Sequence, residues 1–108
     1  MIPDPHAQRR TLVESLTMAG RPAEEQLAAL PRDTAAQLAR IHEDVAHLAP
    51  GLRAAGLLDG EAFRRLAAFD RQHEAMVEDE ALWTDEALRE DPRWEESRGL
   101  AAAALAAL

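Results

Sequence analysis

The sequence predicts an all-α fold, a compact bundle of four main helices with additional short helical turns. Ala, Leu, Arg, Glu and Gln dominate the 108 residues, and these are strong helix formers. Val, Ile and Thr together number only nine and there is no Tyr, so residues that favour strands are scarce. No linker or repeat divides the chain, and we therefore expect residues 1–108 to form a single helical domain.

Two helical segments are predicted before residue 32. Asp4 offers an N-cap and Pro5 stands at the first helical position, an arrangement typical of a helix start. The first helix then runs to Gly20, a suitable residue for a helix end. Pro22 starts a short helical piece that Pro31 closes.

The longest predicted helix begins after Asp33, which can cap it, and ends at Pro50-Gly51. Its apolar residues recur every three or four positions, which places them on one face directed at the core. They are Leu38, Ile41, Val45 and Leu48.

The second half of the chain begins with about two helical turns over residues 52–58, after which Asp59 can cap a further main helix. The apolar face of that helix consists of Phe63, Leu66, Phe69, Met76 and Val77. Thr84 caps a short piece, and Asp91-Pro92 starts the last helix. One face of the last helix carries Trp94, Ala101, Ala104, Leu105 and Leu108.

The charge is unevenly distributed along the chain. The net charge is −8, and residues 74–96, which we call the acidic segment, contain ten acids against Arg89 and Arg93. The spacings Glu86–Arg89, Glu90–Arg93 and Glu95–Arg98 are those of ordinary ion pairs on a helix surface. The acidity disfavours binding to nucleic acid or to an anionic membrane, because each phosphate contact needs a cation.

The sequence also predicts the compartment. It has no Cys, which excludes a disulfide scaffold. The start Met1-Ile2-Pro3-Asp4-Pro5 lacks the features of a signal peptide, and the longest apolar run falls far short of the roughly 20 residues that span a bilayer. We expect a soluble cytoplasmic bacterial protein without a cofactor.

Asp70 and His73 form the most conspicuous polar pair. Both fall on the apolar face of their predicted helix, where polar groups need partners. An Asp and a His three residues apart can also offer two ligands to a metal, as Glu-x-x-His does in di-metal bundles. An internal hydrogen-bonded pair or an interface pair is the favoured interpretation, and a metal site and a catalytic role are the alternatives.

Other candidate catalytic groups favour a surface or a structural role. His42 and His47 are five residues apart, too far around a helix for a single metal, and the stretch containing them is predicted to be a solvated surface. The two serines lie outside any nucleophile motif, and no glycine-rich phosphate loop occurs. We therefore expect a non-enzymatic protein.

Trp83 and Trp94 are the only tryptophans, and both lie in the acidic segment. Acids around large aromatic side chains suit a basic protein partner, because Trp is a favoured interface anchor. The predicted partner-binding residues are Glu78, Asp79, Glu80, Trp83, Asp85, Glu86 and Trp94. The default interpretation of both tryptophans is nevertheless structural, as large residues that fasten the last helix to a thin core.

The same region carries a resemblance. Leu82-Trp83-Thr84, Glu86-Ala87-Leu88 and Asp91-Pro92-Arg93-Trp94 resemble the C-terminal end of small all-helical proteins of high-GC actinobacteria. The resemblance covers the C-terminal third of the chain and implies a bacterial helical protein. It transfers no site residue.

These observations favour a non-enzymatic protein-interaction module, of the immunity, antitoxin or regulatory kind, that binds a basic protein partner. A metal-binding helical bundle built on Asp70 and His73 is one alternative function. A structural component that assembles as a dimer is another, since Ala-rich faces bury little area each and a homodimer would add burial.

Overall fold

The computed structural model describes residues 4–108, and in this part of the chain all regular structure is helical. The predicted all-α fold is therefore confirmed. Met1, Ile2 and Pro3, which entered the expectation about a signal peptide, lie outside the described residues. The six α-helices are α1 (Pro5–Ala19), α2 (Ala23–Ala29), α3 (Thr34–Ala54), α4 (Gly60–Val77), α5 (Asp85–Glu90) and α6 (Pro92–Ala106). A single 3₁₀ turn, Glu80–Leu82, lies between α4 and α5.

The four longest helices pack as a ring. Helix α1 lies against α3 and α6, and α4 lies against the same two helices, so α1 and α4 occupy opposite corners of the bundle. The short elements α2, α5 and the 3₁₀ turn cover one end of the ring. The four main helices expected from the sequence are thus α1, α3, α4 and α6.

Most predicted helix starts are made by side-chain caps. In four cases a side-chain oxygen accepts a hydrogen bond from a backbone N–H two or three residues later, as expected for an N-cap. The capping residues are Asp4, Asp59, Thr84 and Asp91. Helix α3 begins after Asp33 as predicted, but the prediction that Asp33 caps it was wrong. This residue has a φ of 49° in the left-handed region, and its carboxylate makes no cap hydrogen bond.

Helix α3 is longer than predicted. It continues through Pro50 and Gly51 to Ala54, although an interior proline removes a backbone donor and ordinarily ends a helix. The continuation keeps Leu52 fully buried, and tertiary burial outweighs the local signal. The chain then turns at Gly56, whose φ of 75° suits glycine.

The core consists of two clusters at opposite ends of the bundle. The first cluster joins α1, α6 and the facing halves of α3 and α4, through Leu12, Leu16, Ala19, Val45, Ala49, Leu52, Leu58, Ala62, Leu66, Phe69, Ala101 and Ala104. The second cluster joins the beginning of α3, the end of α4 and the short elements, through Ala35, Leu38, Met76, Leu82, Leu88 and Trp94.

Two helix faces are rotated relative to the sequence predictions. On α4, Leu66, Phe69 and Met76 are buried as expected, whereas Val77 is 50% exposed. The buried stripe is completed by Ala62 and by His73. Along α3, the buried positions are Thr34, Ala35, Leu38, His42, Val45, Ala49 and Leu52, whereas the predicted Ile41 and Leu48 are only partly buried.

The short helix α2 is fastened to α1 by a buried polar side chain. Gln26 is 1% exposed, and its Nε2 donates to the carbonyls of Met18 and Ala19 at 3.0 and 3.1 Å. These carbonyls belong to the last turn of α1, which has no helical partner for them. The hydrogen bonds therefore tie α2 to the end of the main bundle.

No helix within residues 4–108 combines the length and the apolar character that crossing a lipid bilayer requires.

Asp59, which caps α4, and Asp33, which makes no cap hydrogen bond, make a matched test of the fold. Replacing Asp59 with Ala is expected to lower the free energy of unfolding by about 1 kcal/mol, because the N–H of Ala62 loses its acceptor at 2.8 Å. Asp33→Gly is expected to change it by less than about 0.5 kcal/mol, since glycine suits the left-handed conformation and no cap is lost. Urea denaturation measures both values, and equal losses would contradict the assignment of the caps.

Candidate functional site

The acidic segment presents most of its carboxylates to solvent without an internal partner. Among the described residues, Asp79 and Asp91 are the only two of its ten acids that form ion pairs. The other eight are exposed. They are Glu74, Glu78, Glu80, Asp85, Glu86, Glu90, Glu95 and Glu96.

The arginines of this region do not neutralise those eight acids. Arg89 reaches back to α2, where its Nε donates to Glu24 at 2.6 Å. Arg98 donates from Nη1 to the carbonyl of Leu88 at 3.0 Å. The predicted ion pairs of these arginines with Glu86 and Glu95 are therefore not formed, because longer-range partners within the fold take the guanidinium groups.

Arg93 joins two parts of the segment, and its predicted pair with Glu90 is likewise not formed. Its Nη1 lies 2.9 Å from Asp79 and its Nη2 lies 3.0 Å from Asp91. The hydrogen bonds from Arg93 lower the pKa of both carboxyl groups. Asp79 also accepts from the N–H of Ala81 and so caps the 3₁₀ turn. Of the predicted partner-binding acids, Asp79 is thus already engaged in holding the fold together.

Trp94 belongs to the core, and its assignment to a partner-binding surface was wrong. The indole is 2% exposed, and its Nε1 donates to the carbonyl of Leu82 at 2.7 Å. The burial of a large ring with a satisfied N–H is typical of a structural tryptophan. The structural interpretation, in which this residue fastens the last helix, describes its position.

Trp83 lies half-buried beside Trp94, at the surface of the acidic segment. The two indole rings meet edge to face with their centroids 5.5 Å apart. One side of Trp83 faces a groove of about 230 Å³ between the starts of α3 and α5, and Asp33 and Asp85 line the same groove. A second, shallower groove of about 360 Å³ runs along α5 and is lined by Glu86, among others.

Two histidines lie directly beneath this surface. His42 of α3 and His73 of α4 are 2% and 6% exposed, and their ring centroids are 4.6 Å apart. The prediction of a solvated His42 was wrong, whereas His47 is exposed as expected. The hydroxyl of Ser97 on α6 lies 3.4 Å from Nε2 of His42. The Nδ1 atoms of both histidines are buried and have no hydrogen-bond partner among the described residues.

Burial controls the protonation of both imidazoles. Desolvation, with a smaller contribution from the neighbouring His73, lowers the pKa of His42 from 6.5 to about 3. Desolvation also lowers the pKa of His73, although the carboxylates of Glu43, Asp70 and Glu74 act in the opposite direction. The pair is therefore neutral in the folded protein at neutral pH.

The predicted internal pair of Asp70 and His73 is not formed. Asp70 is only partly buried and makes no hydrogen bond to His73. Asp70 instead lines a small, mainly apolar groove with Phe63 and Leu66 between α3 and α4. Within residues 4–108, no group of three or more His, Asp or Glu side chains is arranged so that it could hold a metal ion.

The contact between Ser97 and His42 superficially resembles a nucleophile beside its base. Ser97 is 1% exposed, and the rings of Phe69 and Trp94 lie 4.2 and 6.2 Å from the ring of His42. A substrate cannot reach the hydroxyl in this arrangement. The geometry supports a structural role for the contact across the bundle.

Comparison of the chain with protein-family models, with curated proteins and with solved structures found no match.

The buried positions of His42 and Ser97 were not predicted from the sequence, although a signal for each was present. Continuing the α3 stripe beyond Pro50 gives the spacing Leu38, His42, Val45, Ala49 and Leu52, which places the histidine in the core. Ser97 similarly lies between Trp94 and Ala101 on the buried face of α6.

The two tryptophans are expected to differ in their contribution to stability. Trp94→Phe removes the donor to the buried carbonyl of Leu82, and an unsatisfied buried acceptor costs about 1–3 kcal/mol. Trp83→Phe keeps an aromatic ring at a half-buried site and is expected to cost less than about 1 kcal/mol. Chemical denaturation of both variants tests this order, and an equal or reversed order would refute it.

Stability is expected to fall on mild acidification because of His42. Below pH 6.5 the unfolded chain binds a proton at this residue, whereas the folded protein does not until its lowered pKa of about 3 is reached. The free energy of unfolding should therefore decrease by about 1.4 kcal/mol per pH unit across that range. Urea denaturation between about pH 6.5 and 5 measures the slope above the range in which most carboxylates titrate.

The control for this slope is the exposed histidine on the same helix. His42→Phe should reduce the slope of the free energy of unfolding against pH by the contribution of one titrating group, about 1.4 kcal/mol per pH unit. His47→Phe should leave the slope unchanged. A slope that is the same in wild type and His42→Phe would exclude His42 as its origin.

Proposed function

We propose that this protein is a non-enzymatic interaction module that binds a basic protein partner through its acidic segment. Its role is that of an inhibitory, immunity-like or regulatory subunit, whose activity consists of occupying the partner's surface. The observation that carries the proposal is the set of eight exposed carboxylates without internal partners.

This charge arrangement favours binding over mere solvation. Arg89 and Arg93 lie within the segment but bind Glu24, Asp79 and Asp91. The eight remaining acids form no ion pair, and the acidic segment therefore carries a net negative potential. A potential of this kind accelerates the encounter with a partner of opposite charge and is screened by salt.

Trp83 supplies a suitable anchor within that potential. It is half-buried, so part of a large apolar ring is available while the rest is held against Trp94. The groove beside it is lined by Asp33 and Asp85. An aromatic wall with carboxylates nearby is suited to an Arg or Lys side chain, because cations stack favourably on indole.

The test is affinity capture from an extract of the source organism, followed by association kinetics with the purified partner. Reversing the charge at Glu78, Glu80 and Glu86 to Lys should reduce the association rate at least about tenfold and leave folding nearly intact, since exposed charges contribute little stability. The association rate of the unaltered protein should also fall steeply with salt. Asp79 is not included, because it caps the 3₁₀ turn.

The matched control reverses three exposed acids outside the segment, Glu14, Glu25 and Asp44. It changes the net charge by the same amount and should affect association much less, because the local potential at the interface is retained. Capture of no basic protein, or equal slowing by the two triple variants, would refute the proposal.

A further inference from the structure

The histidine pair lies where the two core clusters meet. The ring of His42 is 4.2 Å from that of Phe69, which belongs to the first cluster, and 6.2 Å from that of Trp94, which belongs to the second. The ring of His73 lies 6.2 Å from Trp83. A continuous set of ring contacts therefore runs from the middle of the bundle to the surface of the acidic segment.

The closed structure cannot accommodate charged imidazoles well. An imidazolium has two N–H donors, but Nδ1 of each histidine is buried without an acceptor. On α6, the hydroxyl of Ser97 can serve only Nε2 of His42. Glu43 of α3 and Asp70 and Glu74 of α4 are the charged groups that act on His73, and none of them makes a hydrogen bond to it.

Opening this contact would allow both rings to take up protons. A hydrated imidazole titrates at its ordinary pKa near 6.5, so protons bind more tightly to a state in which the two rings are exposed. By linkage, each pH unit below that value favours such a state up to about tenfold for each histidine.

The second cluster is the part of the molecule that can open alone. Its outer elements are α2 with 7 residues, α5 with 6 and the 3₁₀ turn with 3, and helices of this length are not stable in isolation. They are held by a few side chains, chiefly Leu82, Leu88 and Trp94. The first cluster joins the long helices and has twice as many buried members.

We propose that His42 and His73 form a proton-operated latch: in mildly acidic solution their protonation releases Trp83 and residues 80–90 from the bundle, while the first cluster stays folded. Local opening of a weakly packed unit below the cost of global unfolding is a general property of proteins. Here the position of the histidine pair determines which unit opens.

The latch would also regulate binding, since residues 80–90 include Glu80, Trp83, Asp85 and Glu86. Acidification would then disassemble the surface that holds the basic partner. This consequence rests on the proposed function, whereas the latch itself is a property of the free protein and is tested without a partner.

The experiment is hydrogen exchange of the free protein, followed by mass spectrometry and corrected for the intrinsic effect of pH on exchange. Between about pH 6.5 and 5.5, amides of residues 80–90 should open ten- to a hundredfold more often, for one or two titrating histidines. Amides of α1, which belongs to the first cluster, should open far less often than those of residues 80–90 at each pH, because they open only with global unfolding.

Three variants identify the groups responsible. His42→Phe and His73→Phe should each remove up to about tenfold of the acid-induced opening, and His47→Phe, on the exposed side of α3, should remove none. Because a variant in the core can itself alter packing, the ring protons of wild-type His42 and His73 are also followed by NMR. Their titration should coincide with the opening of residues 80–90.

The proposal is overturned if residues 80–90 keep their protection, if α1 opens as often as residues 80–90, or if both core variants open with acid as wild type does. Histidine titration that occurs without opening would overturn it as well. None of these outcomes bears on binding at neutral pH, so failure of the latch and failure of the proposed function are distinguishable.

Discussion

The buried indole of Trp94 is the contact on which the C-terminal part of the structure depends. Its N–H is donated to the carbonyl of Leu82, and its ring touches both Trp83 and the region of His42. The cap at Asp91 places Trp94 in the first turn of α6, so the start of the helix determines where the indole lies. The 3₁₀ turn, α5 and the end of α4 are then arranged around this one side chain.

The composition explains why so much depends on a few large residues. Alanine occupies many buried positions, and four alanines on α3, α4 and α6 belong to the first cluster. Small side chains allow close helix packing but bury little area each. Gly20 illustrates the same closeness, since a Cβ there would lie 3.3 Å from the carbonyl of Leu16 and 3.4 Å from the backbone of Ala102. In such a core, imidazole rings fill volume that a longer apolar side chain occupies in other bundles.

Because imidazole rings fill part of the core, the stability of the core depends on pH. A leucine at position 42 or 73 would be indifferent to pH, whereas each buried imidazole opposes its own protonation. The two rings also lie close enough that a charge on one disfavours a charge on the other. The sensitivity is concentrated at the junction of the clusters rather than distributed over the fold.

The sequence predicted the helices well because their ends depend on local chemistry. Caps at Asp4, Asp59, Thr84 and Asp91 act over two or three residues, and the pattern alone reveals them. The same reasoning failed at Pro50, where burial of the distant Leu52 outweighs the proline, and this error in length concealed His42 on the buried stripe.

The candidate site was harder to predict because its contacts join distant positions. Arg89 lies 65 residues from Glu24, and Ser97 lies 55 residues from His42. Helical spacing within one element cannot indicate either partner. The sequence pattern therefore paired Arg89, Arg93 and Arg98 with neighbouring glutamates and placed Trp94 at the surface. Trp83 does lie beside exposed acids, as the pattern indicated.

The exposed acids would affect the free protein and the proposed complex in opposite ways. Like charges such as Glu74 and Glu78, one turn apart on α4, repel each other and mildly destabilise the segment. A basic partner would relieve this repulsion, and ligand binding to the folded state would stabilise it further by mass action. Salt screens both interactions, so it would stabilise the free protein while it weakens the complex. If the proposed function is correct, binding of the partner would therefore add stability to residues 80–90, which lie at the less firmly packed end of the bundle.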